Sequence, residues 1–150
     1  MSLQNPFAFH YQGVWLERSA DTQLPDWLRL ASLAFGRHKA NGHANFGVGE
    51  IAKLLGKCEP DGKVKPLSGP AVSNAIKRAK DHGFIAIASH SRCLVVPPHA
   101  VTGGLGNAYE RCRIHVQAVV THGPHGISTS AGEVGRVLVH DEHELDSQSA

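Results

Sequence analysis

Apolar residues recur at helical spacing in three stretches of the chain. Trp27, Leu30, Ala31 and Ala34 fall at i, i+3, i+4 and i+7, widened by Leu28 and Phe35, and predict a helix from about Pro25 to Lys39. Pro25 and Asp26 suit its first turn, Arg37, His38 and Lys39 suit its negative end, and Asn41-Gly42 is a stop signal. Val48, Ile51, Ala52 and Leu55 repeat the stripe over a shorter helix, with Glu50 placed three residues after Gly47 to reach back to free N–H groups. Val72, Ala75, Ile76 and Ala79 predict a third helix from Pro70 to His82, ended by Gly83 in a left-handed conformation. Phe84–Ser89 and Cys93–Val96 then read as two short β-prone runs joined by a loop at His90, Ser91 and Arg92.

Helix, helix, helix and hairpin in this order predict a mainly α fold with a small β-hairpin wing: an α+β winged helix-turn-helix over about residues 24–113. Residues 1–23 are expected as an N-terminal arm or strand, with Val14-Trp15-Leu16 leaning towards strand. Residues 114–150 are acidic and rich in Gly and Ser, and are expected as a weakly structured extension or an edge hairpin. The connection GKCEPDGKVKPLS is longer than the turn of about three or four residues usual between paired helices, so an expanded turn is expected.

Charge changes the picture once it is divided along the chain. Residues 37–113 hold twelve Lys/Arg against five Asp/Glu, a net of +7, while residues 1–36 carry −1 and residues 114–150 carry −4. The overall +2 therefore conceals a basic middle that coincides with the helical motif. Clustered cations favour a polyanion, because each neutralised phosphate releases condensed counterions.

An α-helix fits the major groove, where residues near its N-terminus reach base edges. Ser73, Asn74 and Lys77 form the expected groove-facing set, and Arg78, to the side, would reach the backbone. Ser68 and the N–H of Gly69 could hold a phosphate at the helix start. His90, Ser91 and Arg92 would form the wing tip, with Arg92 entering a minor groove or touching phosphate. Lys57, Lys63 and Lys65 of the long connection would lie on the backbone. The expected partner is double-stranded DNA, and a homodimer is one expected arrangement because one short helix reads few base pairs.

The runs NFGVGEIAKLLG, PLSGPAVSNAIKRAKDHGFI, SHSRCLVVPP and GGLGNAYERCRIH resemble the winged-helix DNA-binding proteins of actinobacterial phages and prophages, over about residues 24–115. That resemblance implies the fold and nucleic-acid binding, with a role in transcriptional regulation or as a replication accessory. A protein-interaction module, docking an acidic partner on the basic face, is the competing class.

Cys112 and His115 have a spacing that can chelate zinc, and Cys58 and Cys93 could complete a four-ligand set. Only half of that set has recognisable spacing and no CxxC occurs, so no metal or cofactor is expected. Gly47-Val48-Gly49-Glu50-Ile51-Ala52 matches a dinucleotide fingerprint without an apolar strand before it or a βαβ unit around it. No histidine pairs with a nucleophile in a recognisable pattern, so an enzyme is not expected. No apolar run approaches the ~18 residues of a membrane helix, and MSLQNPFAFH lacks the features of a signal peptide, which points to the cytoplasm.

Overall fold

A computed structural model describes residues 6 and 8–115; residues up to Cys112 form one unit and Arg113 opens another. The first unit runs through α1 (Gln12–Ala20), α2 (Asp26–Arg37), β1 (His43–Asn45), α3 (Glu50–Leu54), β2 (Lys57–Cys58), β3 (Val64–Lys65), α4 (Gly69–Asp81) and β4 (Cys93–Val95). The class is mixed α+β, with β1 paired to β4 and β2 to β3, both antiparallel. The expectations for residues 116–150 lie outside the described residues.

The core gathers the apolar stripes of α2 and α4 around Ile51, Leu55 and Phe46, closed by Ala44, Leu94 and Val96. Each large aliphatic side chain buried this way stabilises the fold by about 1.5–3 kcal/mol. All four predicted α4 residues, Val72, Ala75, Ile76 and Ala79, are buried. Ser68 is the N-cap, its Oγ accepting from Ala71 N at 3.3 Å. Gly83, at φ 74°, ends the helix as its position implies.

The N-terminal segment is a helix, not the strand its Val-Trp-Leu run suggested. Its stabilising contacts are tertiary: Trp15 stacks on Phe35 with ring centroids 4.9 Å apart, and Gln12 Nε2 donates to the carbonyls of Phe35 and His38 at 3.2 and 3.0 Å. These are groups that the end of α2 leaves without helical partners. A Cβ on Gly36 would stand 2.6 Å from Leu16 Cδ2, so the glycine permits this close crossing. α1 lies in the same unit as α2.

The second helix is shorter than its stripe suggested. It starts at Glu50, after Gly49 in a left-handed conformation (φ 70°), and leaves Val48 83% exposed outside the core. The expected reach of Glu50 is present: Gly47 N donates to its Oε2 at 2.7 Å. The long connection is not an open loop but the β2–β3 hairpin, with Lys57 opposite Lys65 and Cys58 opposite Val64.

Phe84–Ser89 does not form the expected first wing strand. Ala86 N donates to Val95 O at 2.8 Å, Ser89 N closes a turn onto Ala86 O, and Ser89 Oγ accepts from Val95 N at 2.9 Å. A serine side chain thus occupies a ladder position that strand backbone would take. The partner of β4 is β1, in the register His43–Val95, Ala44–Leu94 and Asn45–Cys93.

Candidate nucleic-acid interface

Because the core-facing residues of α4 are spaced at one helical period, the opposite face is set by the same geometry. Ser73, Asn74, Lys77 and Arg78 are all exposed on it, as is Gly69 at the first helical position. Ser68 Oγ accepts from Ala71 N as the cap, which leaves its O–H to donate; a phosphate there would meet that hydroxyl and the remaining N–H groups of the first turn. Lys77 Nζ lies 3.3 Å from Asp81 Oδ2, one turn along the helix. Arg78 has no ion pair among the described residues.

The three expected loop lysines stand on the β2–β3 hairpin and are exposed. Lys63 pairs with Asp61 at 3.3 Å and Lys65 approaches Glu59 at 3.9 Å, while Lys57 has no ion pair among the described residues. Such exposed pairs are worth at most about 1 kcal/mol, so they exchange readily for phosphate. The hairpin is anchored to α3 by Leu67 N donating to Ala52 O at 2.9 Å.

His90, Ser91 and Arg92 form a tight turn closed in both directions, His90 N to Cys93 O at 2.9 Å and Cys93 N to His90 O at 3.0 Å. Ser91 and Arg92 are exposed at its tip. Arg92 O accepts from Phe46 N at 2.9 Å, which fixes the turn to the chain just beyond β1. Arg37 Nη1 binds Glu50 Oε1 at 2.6 Å; the Gly47 N–H first, and then Arg37, hold the Glu50 carboxyl below its ordinary value.

Of the three cysteines in the alternative four-ligand set, the structure brings two together. Cys58 lies exposed on β2, whereas Cys93 and Cys112 are buried with their sulfurs 3.7 Å apart and not in a disulfide. The third group beside them is His43, whose Nδ1 is 3.4 Å from Cys93 Sγ. Spacing offers no signal for His43, which stands 50 residues before Cys93 and reaches it through the β1–β4 register. Burial first, then the contact with Cys112, pushes the Cys93 thiol well up.

The fingerprint-like run after Asn45 does follow a strand, which the sequence did not lead one to expect. That strand pairs antiparallel with β4, and so does not build the parallel βαβ unit a dinucleotide site needs. No helix among the described residues is long and apolar enough to cross a membrane. Comparison with known protein families, curated proteins and solved structures finds no match to this chain.

Proposed function

We propose that this chain is a winged helix-turn-helix protein that binds duplex DNA, with α4 in the major groove. The supporting observation is the exposed set Ser73, Asn74, Lys77 and Arg78 on a helix whose other face is wholly committed to the core. The element order supports the winged layout: α2, β1, α3, α4 and β4 follow the sequence of such domains, with β1 against β4. In this reading the β2–β3 hairpin is an elaborated turn between the paired helices. Asn74 can bond adenine in two-pronged fashion and Lys77 can donate to guanine acceptors. Arg78, the hairpin lysines and Arg92 supply phosphate contacts, which fix register without reading sequence. The role that follows is regulation of transcription, or service as a replication accessory, in a phage or prophage setting.

Fluorescence anisotropy on mixed-sequence duplexes tests the reading. Affinity should fall steeply as salt rises, and the double change Lys77→Ala with Arg78→Ala should weaken binding and flatten the salt slope. Absence of binding at low salt, or binding untouched by both changes, rejects the groove model in favour of a protein-docking module.

A further inference from the structure

The β1–β4 register brings one imidazole and one thiol to the same side of a two-stranded sheet. His43 and Asn45, two residues apart, share a face, and Cys93 is directly opposite Asn45. Ala44 and Leu94 point the other way, into the core. The chain then leaves β4, runs from Pro97 to Arg111 without a named helix or strand, and returns Cys112 onto Cys93. A ring nitrogen of His43, Cys93 Sγ and Cys112 Sγ all lie within 4.8 Å of one another. Cys93 is fully buried and Cys112 is 7% exposed.

We propose that His43, Cys93 and Cys112 supply three ligands of a structural Zn²⁺ ion. The distances fit this chemistry. Two thiolates on one tetrahedral zinc, each at about 2.3 Å, stand about 3.8 Å apart, and a thiolate and an imidazole nitrogen about 3.6 Å apart. The corresponding separations are 3.7 Å for the two sulfurs and 3.4 Å for sulfur and Nδ1. Two of the separations that a shared ion requires therefore already lie within a few tenths of an ångström of that geometry. Binding converts the two thiols to thiolates and releases two protons to solvent. The Cys112 sulfur also meets Asn45 Oδ1 at 3.3 Å; on ionisation this contact loses its hydrogen, and the Asn45 amide nitrogen becomes the favoured neighbour by rotation of the amide.

The ion would do what the local backbone does not. The return of the chain from Pro97 to Cys112 is otherwise held by a few bonds, among them Ala40 N to Leu105 O at 2.8 Å and Asn41 Nδ2 to Glu110 O at 2.9 Å. Zinc would clip that segment to both strands of the sheet and close the 19-residue span between the cysteines. The site is independent of the DNA-binding reading, and its test does not use DNA.

The full chain, produced without an affinity tag in zinc-supplemented medium and kept reduced, is assayed for metal by elemental mass spectrometry. One zinc per chain is expected. Cys112→Ser and Cys93→Ser should lose it, His43→Ala should retain it only weakly, and Cys58→Ser should keep the full equivalent. Co²⁺ added to the chelator-treated unsubstituted chain gives a second readout that needs no variant: thiolate-to-cobalt charge-transfer absorption with tetrahedral ligand-field bands. The proposal is overturned by a chain that neither carries zinc nor shows that cobalt spectrum, by loss of zinc in Cys58→Ser to the same degree as in Cys112→Ser, or by a Cys93–Cys112 disulfide in the reduced preparation.

Discussion

Arg29 Nη1 donates to the carbonyl oxygen of Leu55 at 2.8 Å from a side chain that is 1% exposed. The same guanidinium donates through Nε to Ser19 O at 2.8 Å and lies 3.5 Å from Asp26. One charged residue on α2 thus caps the last turns of both α1 and α3, using the planar fork that only arginine has. Periodicity predicts no such role, since it registers Arg29 merely as polar.

Arg29→Met should therefore lower stability by about 2–4 kcal/mol, because it strands two buried carbonyls. Arg29→Lys should recover only part of this, having a single nitrogen for two diverging acceptors. Urea denaturation midpoints of the three proteins check the order: unsubstituted, then Lys, then Met.

Gly56 stands where the β2–β3 hairpin folds back on α3. A Cβ there would lie 2.8 Å from Lys65 O and 3.0 Å from Lys53 O, both backbone atoms that cannot rotate away. Gly56→Ala is expected to cost about 1–3 kcal/mol as overpacking and to displace the hairpin. Thermal unfolding measures the cost, and amide chemical shifts in residues 57–65 report the displacement.

The Lys77–Asp81 pair makes a sharper prediction for DNA than either lysine or arginine removal alone. Asp81→Asn removes the carboxylate that engages Lys77 and that would repel phosphate. Affinity for duplex DNA should rise on Asp81→Asn and fall on Arg78→Ala. Anisotropy titrations at fixed salt compare them; unchanged affinity in both would count against α4 as the binding helix.

Glu50 links the end of α2 to the start of α3, and its folded-state pKa is below the ordinary 4.5. A depressed carboxylate contributes stability that is present above the unfolded pKa and is lost as pH falls through the folded one. Glu50→Gln should thus be the less stable protein above about pH 5, by no more than about 1 kcal/mol for so exposed a pair, and the gap should close as the medium becomes more acidic. Urea midpoints of both proteins from neutral pH downward show whether it does.

Much of the helical framework is legible in the sequence alone. The stripes of α2 and α4, the stop at Gly83 and the Glu50–Gly47 bond all depend on residues within one or two turns of each other, which helix geometry relates directly. The exposed face of α4 follows from the same spacing, so periodicity is enough to name the candidate DNA-reading residues. Tertiary structure decided the rest. α1 sets Trp15 and Leu16 against α2 and is held by Gln12 and Ser19 through bonds that join it to distant residues. The three-residue β1 has no alternation to detect, and it displaced Phe84–Ser89 as the partner of β4 by offering a complete antiparallel register. That pairing also chose His43 over Cys58 to stand beside the buried thiols. Which side chain stands there depends on which strands meet across 50 residues of chain, and local periodicity carries no information about that distance.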